Sequence, residues 1–280
     1  MRTHGIRMNA GTGQKFPSAW RTVTRLLGVA LVLVALPGIA AAEDAQISRH
    51  RAAERKSFTD AEITRGFFKT AFGAELRIAG ASDRIRKFDG PVRVYVDSSG
   101  RPDRSGQVAG VVTDIGARVR HLDIVAVKER EASNVLVTLV RQRALAPTVR
   151  RMFGPERARQ IARRLVPQCL SGFAKDESFR IVHSDVIVAV DGSDFDFYDC
   201  LYEELLQSLG PINDTKTVPW TMFNDDVHMG FFDVYDQYIL NILYDPRMRP
   251  GMTVTEAKVM LPQVLPDVRA FVAEVNGLAK

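Results

Sequence analysis

Apolar residues in the first half of the chain recur with the period of β-strands. The run Val92-Arg93-Val94-Tyr95-Val96 is apolar at every second position, which is typical of a strand with one buried face. Apolar runs predict further strands at 122–127, 134–140 and 179–190. Residues 106–119 have a helical period and lead into the strand predicted at 122–127.

The second half of the chain is mainly helical by the same criterion. Its pattern predicts three helices, at 195–209, 232–243 and 254–278. The last of these is expected to break near Pro262 and Pro266, because proline lacks the N–H that a helix interior needs. Near the start, Thr59 and Glu62 form a capping box ahead of another amphipathic helix. Alternating strands and helices followed by helices alone predict an α+β domain.

Residues 1–42 have the parts of a secretory signal peptide. Basic residues precede the apolar stretch 26–36, and small residues lead to an expected cleavage site after Ala42. The stretch is shorter than the ~20 residues that span a membrane, so no transmembrane segment is expected in the mature chain. No cysteine follows it for lipid attachment. The sequence therefore predicts export to the periplasm.

The mature chain divides into a short lead and one domain. Residues 43–56 are polar and are predicted to be a flexible lead. Residues 57–280 are long enough for a single domain with a substantial core.

The charge of the mature chain does not favour nucleic acid as a partner. The whole chain has 38 basic and 33 acidic residues, and the signal peptide carries five basic residues and no acidic one. The mature chain is thus formally neutral. One helical stretch, 147–165, is nonetheless rich in arginine. A solvated helix face is the simpler interpretation, and docking of an acidic partner or of phospholipid headgroups is the alternative.

Cys169 and Cys200 are the only cysteines. In an exported chain an even pair predicts a disulfide more readily than a metal or redox site. A buried, reduced pair is the alternative.

Residues 203–210 follow the pattern of a zinc-peptidase helix in which the metal ligands have been exchanged. The pattern H-E-x-x-H places two histidines on one helix face and a general base between them. Here Glu203 and Gln207 stand in the histidine places, and Glu204 keeps the place of the general base. Gly210 turns the chain, so that Asn213 stands where an extended motif has its third histidine.

The segments 203–214, 220–225 and 235–252 resemble an uncharacterised proteobacterial family of exported proteins, some described as lipoproteins. That family is similar to a degenerate metzincin. The resemblance implies a zincin-like fold, in which a mixed sheet precedes an active-site-type helix and a helical C-terminal part. It also implies that Met222 lies in the turn beneath the former metal site.

The exchanged residues make a poor zinc site. Zinc prefers imidazole, thiolate and carboxylate ligands, and none of the five histidines has a metal-ligand spacing. Calcium would accept oxygens of Glu203, Gln207 and Asn213, but it needs ~6–8 oxygen ligands, so backbone, water or Asp214 and Asp225 would have to contribute. No cofactor is therefore expected. Without a metal, Glu204 has no activated water to use, and hydrolysis by the zincin route would fail.

Three functional hypotheses follow. The first is a non-catalytic pseudoenzyme that binds a peptide, a protein or an envelope component over a polar cleft floor of Glu203, Glu204, Gln207 and Asn213, with Met222 packed beneath. The second is a hydrolase with Glu204 as general base and an atypical metal on Glu203, Gln207 and Asn213. The third is a purely structural network that holds the loop bearing Met222.

Overall fold

One mixed sheet of five strands, in the order β2-β1-β3-β5-β4, organises the fold. The computed structural model describes residues 43–73, 83–98, 100–162, 168–211 and 213–278. The strands are β1 Val92–Ser98, β2 Ile124–Val127, β3 Val135–Val140, β4 Cys169–Lys175 and β5 Ile181–Ala189.

Four strands run parallel and the edge strand β4 runs against them. β1 pairs in parallel with β2 and β3, and β3 pairs in parallel with β5. β4 is antiparallel to β5, with Leu170 opposite Ile187. Every residue of β3 is buried, as expected for a central strand covered on both faces.

Eight helices surround the sheet in the described part of the chain. They are α1 Ala45–Ala53, α2 Asp60–Thr70, α3 Ser105–Arg118, α4 Gln142–Phe153, α5 Pro155–Ala162, α6 Asp194–Ser208, α7 Val234–Tyr244 and α8 Val254–Val275. α6 follows β5 directly and packs on β4 and β5. The mixed α+β class predicted from the sequence is therefore confirmed.

The helical half packs around α7, every residue of which is buried. α2 crosses it at Gly66, where a β-carbon would clash with the ring of Tyr235. The Tyr235 hydroxyl donates a 2.7 Å hydrogen bond to the carbonyl of Glu62 in α2. Because glycine occupies the crossing point, the two helices approach closely enough for this bond.

Three details differ from the sequence expectations. The lead 43–56 contains helix α1, which Asp44 caps and which buries Ile47. Strand β4 was not predicted. α8 runs unbroken through Pro262 and Pro266, because its residues Leu261, Val264, Leu265 and Val268 are buried and their burial offsets the lost hydrogen bonds.

The predicted signal peptide, 1–42, lies outside the described residues. Among the helices that are described, none combines the length and the apolarity needed to cross a bilayer.

Candidate functional site

Helix α6 is held in place at its start by its own sequence. The Ser193 hydroxyl accepts a hydrogen bond from the backbone N–H of Asp196 at 3.0 Å. The Asp196 carboxylate in turn accepts from the Ser193 backbone N–H and hydroxyl. This capping box starts the helix at Asp194, with four residues between it and the end of β5, and the helix then packs on β4 and β5.

A disulfide ties α6 to the edge strand. Cys169 at the start of β4 is bonded to Cys200 in α6, with the two Cα atoms 5.7 Å apart. The predicted disulfide is confirmed. It joins the two elements that border the candidate site.

Three carboxylates meet beside the middle of α6. One oxygen from each of Glu203, Asp214 and Asp225 lies within 4.8 Å of the others. We call these three residues the acidic cluster. Glu203 and Asp214 are half-buried, whereas Asp225 is exposed. The cluster thus opens to solvent on the side of Asp225.

The pKa of Glu203 reflects its position in the acidic cluster. Its burial, together with the neighbouring charges of Glu204 and Asp214, raises the pKa of the Glu203 carboxyl well above its ordinary value. A cation bound at the cluster would oppose the part of this shift that the neighbouring charges cause.

Gln207 links the acidic cluster to the sheet. Its amide nitrogen donates a hydrogen bond to Asp214 at 2.5 Å. Its amide oxygen accepts a longer bond, of 3.4 Å, from the Ser171 hydroxyl on β4. One side chain therefore connects α6, the following loop and the edge strand.

Glu204 does not share the exposure of the cluster. Its side chain is buried, with 7% of the residue exposed, whereas Glu203 one position earlier is half-buried. Successive helix residues lie about 100° apart, so the two carboxyl groups leave α6 in different directions. Glu204, which stands in the general-base place of the motif, is therefore less accessible than Glu203.

Asn213 is engaged at the end of another helix. Its side-chain amide donates a 2.6 Å hydrogen bond to the carbonyl of Lys69, and its backbone N–H donates to the carbonyl of Thr70. Both carbonyls belong to the last turn of α2. Asn213 thus caps α2, and Asp214 takes part in the cluster in its stead.

The turn between α6 and this loop requires glycine. Gly210 has a φ of +139°, and a β-carbon there would clash with the backbone carbonyl of Arg86. Beyond this turn, Asn213 reaches α2 and Asp214 reaches the acidic cluster.

Met222 lies in a buried turn that is hydrogen-bonded to Asp236. Its backbone N–H donates to Asp236 at 2.8 Å, and the Thr221 hydroxyl donates to the other oxygen of the same carboxylate at 2.5 Å. Asp233 caps α7 and is buried beside Asp236. Burial raises the pKa of Asp236 to about 6. Burial and the charge of Asp236 raise the pKa of Asp233 well above its ordinary value.

His228, in the loop after Met222, contacts the helix that carries Glu203. Asp199 lies one turn before Glu203 on α6, and its carboxylate contacts His228 Nδ1 at 2.8 Å. The other oxygen of Asp199 accepts the backbone N–H groups of Met229 and Gly230. His228 is exposed and borders a cleft of about 580 Å³ between α1 and the loop 219–233.

The acidic cluster fits hard cations better than zinc. Carboxylate oxygens are the ligands that Ca²⁺ and Mg²⁺ prefer, and His228 is oriented toward Asp199 rather than toward the cluster. Glu203, Asp214 and Asp225 would hold such an ion. The acidic cluster thus contains Glu203 and the two aspartates that the sequence offered as further oxygen ligands. Gln207 is hydrogen-bonded to Asp214, and Asn213 caps α2.

These features define an α+β protein with a mostly parallel sheet, an antiparallel edge strand and an acidic cluster on the helix that follows β5. The chain belongs to the family described as "Protein of unknown function (DUF2927)", which it matches over residues 60–263. No curated protein and no solved structure matches it.

Proposed function

We propose that this is an exported, non-catalytic protein of zincin-like fold that binds a positively charged segment of a peptide, protein or envelope component at the acidic cluster. The zincin-like part of the proposal is supported by the order of elements. An antiparallel edge strand, β4, borders helix α6. On that helix Glu203, Glu204 and Gln207 stand in the three places of the zinc-peptidase pattern, with both histidines exchanged.

The observation that carries the non-catalytic part is the hydrogen bond between Gln207 and Asp214. A catalytic zinc ion needs three protein ligands and an open position for water. Gln207, in a ligand place, instead uses its amide to hold the loop. Glu204, in the base place, is buried. Neither residue is positioned as the peptidase reaction requires.

Charge argues for a cationic ligand. Two full charges 4.8 Å apart repel each other by about 3 kcal/mol at the effective dielectric constant near a protein surface. An ammonium or guanidinium group placed at the acidic cluster would remove this repulsion and gain charge-assisted hydrogen bonds. Lysine and arginine side chains supply these groups in peptides and proteins.

The test measures binding of oligolysine and oligoglutamate peptides of equal length by calorimetry. We expect the protein to bind oligolysine alone, and Glu203→Gln with Asp225→Asn to weaken this binding at least tenfold. The matched control is Asp176→Asn with Glu177→Gln, which removes two carboxylates from the loop after β4. Equal affinity of both double variants for oligolysine, or no binding by the wild type, would reject the proposal.

The second candidate is a metal-dependent hydrolase, and the proximity of Glu203, Asp214 and Asp225 favours it. It requires a divalent ion bound in stoichiometric amount after purification without chelator or affinity metal. Elemental analysis would then show about one equivalent of metal in the wild type and none in Glu203→Gln. Hydrolytic activity abolished by Glu204→Gln would complete this case, and a metal-free wild-type protein would exclude it.

A further inference from the structure

Helices α4 and α5 present a dense group of arginine side chains to solvent. Six arginines and a single acidic residue, Glu156, lie between positions 141 and 162. All six arginines are exposed. We call them the basic surface: Arg141, Arg143, Arg150, Arg151, Arg157 and Arg159.

The basic surface stands out against the charge of the rest of the chain. From Glu43 onward the chain has as many basic as acidic residues, because the five basic residues of 1–42 account for the total excess of +5. Six arginines less one glutamate give the segment 141–162 a net charge of +5. The remaining residues after position 42 therefore carry a net charge of −5.

The packing of α4 turns these arginines outward. Leu145, Thr148 and Val149 are buried, and α4 packs on β5. Arg143 and Arg150 are two turns apart and leave the helix on the opposite side. Burial of one face therefore holds the arginines in a solvent-facing array.

Few acidic groups neutralise the array in the described part of the chain. Arg159 pairs with Glu156, Arg157 lies over the ring of Phe153 at 5.5 Å, and Arg141 donates to the backbone carbonyl of Arg101. Arg143, Arg150 and Arg151 make no ion pair with any described residue. Three to five guanidinium groups are thus available to an external partner.

We propose that the basic surface docks the protein on a bilayer surface rich in anionic phospholipids. The six arginines are exposed and spread over two helices that contact each other, which suits an extended sheet of phosphate headgroups better than a single bound anion. Each basic residue close to such a surface strengthens binding roughly fivefold. The acidic cluster is a separate group of residues on α6 and the loops after it, so docking and cation binding do not use the same side chains.

The experiment is co-sedimentation of the exported, processed protein with lipid vesicles. Vesicles of equal parts phosphatidylcholine and phosphatidylglycerol are compared with vesicles of phosphatidylcholine alone. We expect binding to the anionic vesicles only, decreasing as salt is added. The triple variant Arg143→Gln, Arg150→Gln, Arg151→Gln should bind on the order of a hundredfold more weakly.

The matched control removes three exposed basic residues elsewhere, in the triple variant Arg65→Gln, Arg120→Gln, Lys258→Gln. Circular dichroism and thermal unfolding establish that both triple variants are folded. Affinity that falls in the first triple variant and stays within about twofold in the second supports the proposal. Equal losses in both, or no sedimentation of the wild type with anionic vesicles, would overturn it. Glu203→Gln should leave vesicle binding unchanged, which separates this test from that of the acidic cluster.

Discussion

The side chains of Gln207 and Asp214 are joined by a hydrogen bond of 2.5 Å across the turn that follows α6. Gln207 lies in the last full turn of the helix, and Asp214 lies on the loop after Gly210 and Pro211. In a zinc site built on the H-E-x-x-H pattern, the ion itself links such a helix to its surroundings. Here an amide and a carboxylate make the link.

Replacing this amide should destabilise the fold. Gln207→Glu would place a carboxylate against Asp214, and we expect the free energy of unfolding at neutral pH to fall by about 1–3 kcal/mol. Gln207→Ala should cost about 1 kcal/mol, because it removes the bond without adding a charge. Urea denaturation measures both. The control Gln160→Glu adds the same charge at an exposed position of α5 and should change stability by less than about 0.5 kcal/mol. If Gln207→Glu is no worse than the control, the bond has no structural role.

Much of the fold was accessible from the sequence, because local periodicity reports which face of an element is buried. Strands β1, β2, β3 and β5 and helices α3, α6 and α7 lie close to their predicted positions. β4 was missed because Cys169–Lys175 contains Ser171, Gly172 and Ala174, which carry little strand signal. The break expected near Pro262 was wrong because tertiary burial along α8 outweighs the local penalty.

The candidate site was accessible only in part. Glu203 and Gln207 share a helix face at i and i+4, which sequence spacing reveals. Asp214 and Asp225 could be named as possible oxygen donors, but their approach to Glu203 depends on how the segment between α6 and α7 returns to α6, and no local pattern encodes that return. The same holds for Asn213, whose spacing suggested a ligand but whose amide caps α2.

Removing the disulfide between β4 and α6 should lower the free energy of unfolding. Cys169 and Cys200 are 31 positions apart, and closing a loop of this length in the unfolded chain contributes roughly 3–4 kcal/mol of stability. The double variant Cys169→Ser, Cys200→Ser should therefore lose about this amount in guanidinium denaturation. Reductant should bring the wild type to the same stability and leave the variant unaffected. A wild type that is insensitive to reductant under denaturing conditions would contradict the prediction.

Asp233 and Asp236 should make the protein less stable as pH rises. Burial raises the pKa of Asp236 to about 6 and, with the Asp236 charge, raises the pKa of Asp233 well above its ordinary value. The folded state then binds more protons than the unfolded state above about pH 4, so stability is fully present below that pH and is lost as pH rises through the folded pKa values.

Asn at position 233 would keep the helix cap and remove one of the two charges. Between about pH 4 and about pH 7, the free energy of unfolding of the Asp233→Asn variant should increase by about 1 kcal/mol or more relative to that of the wild type. Urea denaturation across this pH range measures the difference. The control Asp44→Asn changes the cap of α1, where no second carboxyl is buried beside it, and should leave the pH dependence unchanged. Parallel stability curves for wild type and Asp233→Asn would show that the pair is not coupled to folding.

Lys87 should make the protein more stable as the pH rises in the alkaline range. Its buried ammonium donates to the carbonyls of Leu243 and Asp245 at the end of α7, and burial lowers its pKa to about 8. The pKa of lysine in the unfolded state is about 10.4. Between about pH 8 and about pH 10.4 the unfolded state therefore binds more protons than the folded state, and the free energy of unfolding should rise by about 3 kcal/mol over this range. Lys87→Met should remove this rise, and Lys56→Met, at an exposed position, should keep it. Denaturation at a series of pH values measures the unfolding free energy of each variant and of the wild type. A rise that persists in Lys87→Met would contradict the prediction.

Binding of a cation at the acidic cluster should release protons from Glu203. The raised pKa of this carboxyl reflects burial and the charges of Glu204 and Asp214, and a bound cation opposes the second of these causes. A ligand that favours the ionised form lowers the pKa, so oligolysine should bind more tightly as pH rises toward neutrality and should expel a proton on binding. Calorimetry in buffers of different ionisation enthalpy measures that proton directly. In Glu203→Gln the release should vanish and the affinity should lose its pH dependence, whereas Asp225→Asn, which alters the exposed member of the cluster, should weaken binding and retain the release. Binding without proton release in the wild type would place the ligand away from Glu203.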